Sequence, residues 1–100
     1  MSVLALSPEA DVLFVGINAH RGLLDLGSNR RFLAPHSVSP NNPTPGAIIA
    51  INTHTGRLCE TQPIWLDQAP GGIAIAQDRT LFAELPDRLF FADTRAIACK

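Results

Sequence analysis

Proline and glycine interrupt this chain so often that no long helix can form. Eight Pro and seven Gly are spread through 100 residues. No window of a dozen residues keeps apolar side chains at i, i+3, i+4 and i+7 without one of them intervening. What remains is a series of short apolar runs bounded by turn residues, the pattern of strands. We read strands over Val3–Leu6, Val12–Ile17, Leu23–Leu26, Ala47–Asn52, Arg57–Thr61, Gly72–Ala76, Thr80–Leu85 and Arg88–Ala92. Several are apolar on both faces: Ile73 and Ile75 point one way, Ala74 and Ala76 the other. A strand of that kind lies between two layers, with small residues where the neighbouring sheet comes close. The expected fold class is all-β, an antiparallel meander with stacked sheets.

The connections support a meander. Asn52-Thr53-His54-Thr55-Gly56 reads as a tight turn, with Gly56 supplying the positive φ that closes it. Gln77-Asp78-Arg79-Thr80 is a second hairpin turn, with Asp78 placed to cap its own backbone. Leu85-Pro86-Asp87-Arg88 is a third, with Pro86 at the first corner. The stretch HSVSPNNPTPG, from His36 to Gly46, holds three prolines, two asparagines and no charged residue. It reads as a loop or insertion over about residues 34–46 of a single domain spanning residues 1–100.

Composition removes several function classes. With 46% hydrophobic and 17% charged residues, the chain is not a disordered tail. Eight Lys+Arg against nine Asp+Glu give a formal charge of −1, which argues against a nucleic-acid partner. No apolar run approaches ~18 residues, so no membrane-spanning helix is expected. The start, Met1 to Glu9, lacks a cationic region and a long apolar stretch, so the expectation is a soluble, cytoplasmic protein. Cys59 and Cys99 stand 40 residues apart with no CxxC or metal-knuckle spacing. They read as two free thiols in a reducing compartment, with a disulfide as the alternative.

Two stretches of the chain resemble each other. Val3 to Gly16, VLALSPEADVLFVG, aligns with Ile73 to Glu84, IAIAQDRTLFAE, if the first turn is two residues longer. Both read as an apolar strand, a polar turn, then Leu-Phe-small. Repeated supersecondary units of this sort point to propellers or solenoids.

The second copy, Pro70-Gly71-Gly72-Ile73-Ala74-Ile75-Ala76-Gln77-Asp78-Arg79-Thr80-Leu81-Phe82-Ala83-Glu84, is followed by Arg88-Leu89-Phe90-Phe91-Ala92-Asp93. It resembles a phrase of six-bladed β-propellers of the gluconolactonase, senescence-marker-protein and strictosidine-synthase-like superfamily. Gly46 to Leu58, GAIIAINTHTGRL, looks like the third strand and turn of such a blade. The resemblance covers residues 46–93, and more loosely 3–16. It implies about two propeller-like blades, a calcium-dependent hydrolase with a lactone-type small-molecule substrate, and an active site at the propeller mouth.

Two departures bear on that implication. The family's Asn ligand for the divalent metal falls on Gly72, or on Gly71 if the phrase slips by one, and glycine has no side-chain oxygen. Glu84 matches an acidic residue that often ends the family's second strand, which makes it the metal-ligand candidate. One carboxylate does not hold Ca²⁺, which takes six to eight oxygens. A closed propeller needs at least four blades of ~40–45 residues, and this length holds material for about two. The last blade also lacks a convincing outer strand. Three readings stay open: a partial propeller, an oligomer that closes a ring from short chains, and a small unrelated β-domain. In a partial propeller, missing blades would leave Val3, Leu13, Val15, Leu24, Ile49 and Phe90 uncovered.

Other residues read as structural. His20, His36 and His54 show no HxH or HExxH spacing. Ser7, Ser28, Ser37 and Ser39 lack a GxSxG context, so catalytic residues are unassigned. Gly71-Gly72 precede a strand rather than a helix and form no phosphate cradle. Asp25 and Asp93 read as strand-end charges, and Trp65 as a blade-edge aromatic. Glu84 is expected either as a ligand or paired with Arg88 or Arg79 across the hairpin. Asn18, Asp67 and Asp87 are the further oxygen donors near strand ends. Two functions follow. One is a lactonase-type hydrolase fragment, with calcium bound weakly or not at all by this chain alone. The other is a non-catalytic module binding protein or sugar, with self-association among its expected contacts.

Overall fold

The computed structural model describes residues 3–18, 23–25, 31–33, 46–59, 63–95 and 97. The described residues form nine strands and no helix. They are β1 (Leu4–Leu6), β2 (Val12–Asn18), β3 (Leu23–Asp25), β4 (Arg31–Leu33), β5 (Gly46–Asn52), β6 (Ile64–Leu66), β7 (Gly72–Ile75), β8 (Thr80–Glu84) and β9 (Leu89–Asp93). All pairing is antiparallel. A four-stranded N-terminal sheet runs β1-β2-β5-β6, and a three-stranded C-terminal sheet runs β7-β8-β9. A separate β3–β4 hairpin is inserted between β2 and β5. The protein is an all-β antiparallel meander, as its turn chemistry requires.

Two short strands, β4 and β6, were not expected, because three residues are too few to display a period of two. Of the expected strand Arg57–Thr61, residues 57–59 are described and form a single bridge, Ile51↔Leu58, with the Cys59 amide donating to the Ala50 carbonyl at 2.9 Å; Glu60 and Thr61 lie outside the described residues. β6 then resumes pairing with β5 at Ile48↔Ile64, its register slipped by three residues from that bridge. β6 is an edge strand of the sheet, and Trp65 lies on it as expected of an edge aromatic. All three turns form. Gly56 has φ 73° and donates its amide to the Asn52 carbonyl. The Thr80 amide donates to the Asp78 carboxylate at 3.0 Å, and the Leu85 amide to the Arg88 carbonyl at 2.9 Å.

The two sheets stack through one core. Val12, Phe14, Ile48, Ala50, Cys59 and Leu66 of the N-terminal half meet Leu81, Ala83 and Leu85, with Ile73, Ile75, Phe90 and Ala92 packed around them. A second cluster lies on the far face of the N-terminal sheet, where Ala47 and Ile49 are covered by Phe32, Val15, Ile17, Ile51 and Trp65. The segment between β6 and β7 returns across the N-terminal sheet, and two strand glycines make room for it. A Cβ on Gly46 would run into the Gln68 carbonyl oxygen and stand 3.0 Å from the Ala69 Cα. One on Gly16 would stand 2.9 Å from the Pro70 ring. Backbone cannot withdraw as a side-chain tip can.

Hydrogen bonding also aligns the repeat. In the first unit the Ser7 amide bonds the Val12 carbonyl and Ala10 bonds back to Ser7; in the second, Ala76 bonds Thr80 and Arg79 bonds back to Ala76. Ala10 (φ 60°) and Arg79 (φ 69°), both left-handed, occupy the same turn position. The first turn is therefore one residue longer, not two. Leu4 matches Ile73, Ala5 matches Ala74 and Leu6 matches Ile75, while the second strands keep Phe14 against Phe82. That one-residue slip exchanges the faces of the first strand, and it corrects the uncovered set. Ile49 is buried, and Val3, Leu13, Val15 and Phe90 are half-buried. Leu24's side chain lies outside the described residues. The exposed large apolar residues are Leu4, Leu6, Leu89 and Phe91.

Cys59 is fully buried and disulfide-bonded, which corrects the reading of two free thiols. Cys99, the other cysteine, lies outside the described residues. Two measurements follow. Gly46→Ala should lower unfolding free energy by about 1–3 kcal/mol in urea, the usual cost of overpacking; a neutral result would contradict the tight crossing. Titration with a thiol reagent under denaturing, non-reducing conditions should find no free thiol, and two after reduction.

Candidate functional site

Glu84 is the last residue of β8, and the chain entering β7 runs beside it. Gly72 pairs directly with Glu84, and the Gly71 amide donates to the Glu84 carbonyl at 2.8 Å. The Glu84 side chain is exposed and leans toward Gly71, whose missing Cβ would lie 3.2 Å from Oε1. Gly72 and Glu84, directly opposed, share a sheet face, but a Cβ at Gly72 would have no atom within 4 Å, the Glu84 carboxylate included. Open space surrounds that position. A shallow depression of about 270 Å³ adjoins it, lined by Gly72, Ile73, Ala74, Phe82, Glu84 and Leu89. Its floor is apolar, with Phe82 and Phe91 in edge-to-face contact at 5.2 Å.

The neighbouring carboxylates are engaged elsewhere. Arg88 holds Asp67 at 2.6 Å and Asp87 at 3.0 Å. The Asp67 hydrogen bond raises the Arg88 guanidinium above its ordinary value. Arg79 reaches the opposite end of the strand, where it meets Glu9 at 2.6 Å and Asp11 at 3.5 Å. Neither arginine pairs with Glu84, so the expected cross-hairpin ion pair does not form. Asn18 ends β2 and is exposed. Among the described residues, no group of three or more His, Cys, Asp or Glu converges as a metal site would require.

The remaining candidates are structural where they are described. His54 is exposed in the turn after β5. Ser7 is buried, its hydroxyl donating to the Asp11 carboxylate at 2.6 Å and accepting the amides of Asp11 and Val12. Asp93 ends β9 and pairs with Arg95 at 2.9 Å. His20, His36, Ser28, Ser37 and Ser39 lie outside the described residues, as does the Asp25 side chain.

Sequence reading missed the network that joins the two units at their turns. Glu9 and Asp11 of the first β-turn grip Arg79 of the equivalent second turn. Thr94, buried, donates its hydroxyl to the Arg79 carbonyl at 2.7 Å, fixing that left-handed residue. The aligned turns were the available signal, since both must emerge at one end of the stacked sheets. Comparison with known proteins found no match: no family model, curated protein or solved structure is significantly similar to this chain.

Acid should act through these carboxylates. The Ser7 hydrogen bond, with Arg79 behind it, holds Asp11 below its ordinary value. The Thr80 amide lowers Asp78, and Arg95 lowers Asp93 to about 2. Each group binds its proton more readily unfolded, so its stabilisation is complete above about pH 5 and is lost as pH falls through its lowered folded value, which for Asp93 is about 2. The melting temperature should be flat from pH 7 to 5 and fall below 4 in dilute salt, with Asp93→Asn falling less steeply. A melting temperature that rises on acidification would contradict these pairings.

Proposed function

We propose that this chain is a pair of propeller-type blades of the gluconolactonase-like kind and acts, by itself, as a non-catalytic sheet module. The observation that carries this reading is the isolation of Glu84 from the other carboxylates. Asp67 and Asp87 are both paired with Arg88, and the residue opposite Glu84 across the hairpin is Gly72 rather than an amide-bearing residue. A hard divalent cation needs several converging oxygens to offset its dehydration. Without a held metal and a positioned base, a water is not activated for attack on a lactone. In a longer assembly, Glu84 would contribute one carboxylate to a calcium site completed by other blades, which is the lactone-hydrolase reading.

The alternative surface is the apolar one beside it. Phe82, Leu89 and Phe91 present a sheet face suited to a protein contact more than to a sugar, whose hydroxyls ask for polar partners. A cytoplasmic location belongs to the same reading; the Cys59 disulfide argues the other way, because such bonds persist mainly in oxidising compartments.

Calcium and lactone assays test the proposal together. The wild-type chain should hydrolyse no simple aldonolactone, and millimolar Ca²⁺ should leave its melting temperature unchanged. Gly72→Asn should fold normally, as the open space there allows. A calcium-dependent rise in melting temperature that disappears in Glu84→Gln would overturn the non-catalytic reading.

A further inference from the structure

The register of the repeat gives each sheet two distinct faces. The forward face of the N-terminal sheet carries Phe14, Ile48 and Ala50, and packs on the C-terminal sheet. The rear face of the C-terminal sheet carries Ile73, Ile75, Leu81 and Ala83, and receives it. The equivalent forward face of the C-terminal sheet has nothing upon it among the described residues. Ile48 and Ala50 are 1% and 4% exposed, whereas their counterparts Leu89 and Phe91 are 50% and 59% exposed. The Ala5↔Phe14 cross-strand pair recurs as Ala74↔Phe82, beside the 270 Å³ depression. At the other end of the molecule the converse holds. Leu4 and Leu6, 50% and 51% exposed, are the counterparts of Ile73 and Ile75 and belong to a rear face.

We propose that the bare forward face of one chain (Ala74, Phe82, Leu89, Phe91) docks the bare rear face of a second copy, led by Leu4 and Leu6. The contact continues the stacking that the two sheets already use within one chain, so the occupant is specified by the molecule itself. One unit leaves a forward face uncovered and the other a rear face, and both are built from the repeat whose mating surfaces are known. Leu4 and Leu6 take the place of Ile73 and Ile75, and the depression beside Glu84 receives one of them. The β3–β4 hairpin lies over Ala47 and Ile49 through Phe32, so the contact falls on the β1–β2 half of the rear face. Opposite faces meet, making the contact heterologous, with an unsatisfied face left at each end. This inference rests on the register of the repeat and not on the lactonase resemblance; it stands whether or not Glu84 serves a metal.

Sedimentation velocity with face-blocked variants tests it. Wild type should show a weight-average sedimentation coefficient that rises with concentration. Leu89→Glu/Phe91→Glu blocks the forward face, and Leu4→Glu/Leu6→Glu the rear. Each variant alone should remain monomeric, with association weakened at least about tenfold. An equimolar mixture should form a one-to-one dimer and stop there, because only one good pair of faces remains. Circular dichroism and melting temperature verify that each variant folds, and the milder Phe91→Ser and Leu4→Ser replace any that does not. A monomeric wild type up to ~200 µM would overturn the proposal. So would a rear-blocked variant that still dimerises alone, since that requires a symmetric forward-to-forward contact.

Discussion

The burial of Phe14 and Ile48 against Leu81 and Ala83 is the contact on which the rest of the molecule depends. A single three- or four-stranded meander of this length cannot bury both of its faces, and several strands here are apolar on both. Stacking one sheet on the other takes Phe14, Ile48 and Leu81, the largest of the fully buried side chains, out of water. Each contributes about 1.5–3 kcal/mol by burial alone. Everything that lets the sheets approach follows from this demand. Gly16 and Gly46 clear a path for the connecting segment. The Glu9–Arg79–Asp11 ion pairs and the Thr94 cap then fix the two turns at one end.

The same packing explains where chemistry is and is not found. The carboxylates near the Glu84 end of β8 divide between two tasks. Asp67 and Asp87 tie the inter-sheet segment and the β8–β9 turn through Arg88. Glu84 projects from the strand end onto Gly71, without an ion-pair partner among the described residues. Exposed ion pairs contribute little stability individually, so Arg88 acts mainly to orient the turn. The apolar floor beside Glu84, made by Ala74, Phe82 and Leu89, is more extensive than its polar rim. A surface of that composition suits the burial of another sheet better than the binding of an ion.

The longer strands and the three turns were legible in the sequence because both are local, whereas the three-residue strands β4 and β6 were not. Gly56, Asp78 and Pro86 each stand at the turn position their backbone chemistry demands. The faces were less legible. Apolar residues occupy both alternating sets, so no polar face pins the register, and a turn one residue shorter than assumed reverses the inside and outside of β1. That is why Leu4 and Leu6, not Val3, stand exposed. Glu9 and Asp11, which hold Arg79, and Asp67, which holds Arg88, lie 21 to 70 residues from their partners, beyond the reach of local pattern. The Cys59 disulfide was illegible for the same reason: spacing alone carries no signal for a pairing made by the tertiary fold.

Methyl–aromatic NMR on dilute protein tests the central claim, the forward-on-rear stacking of two equivalent units. The Phe14 ring and the Ile48 methyls should show cross-relaxation to the Leu81 and Ala83 methyls, while the Phe82 ring shows it only within its own sheet, chiefly to Phe91. Contacts from Phe82 to Phe14 or Ile48, with Leu81 left in solvent, would mean that the C-terminal sheet is turned over and that the two units do not share one sense of stacking.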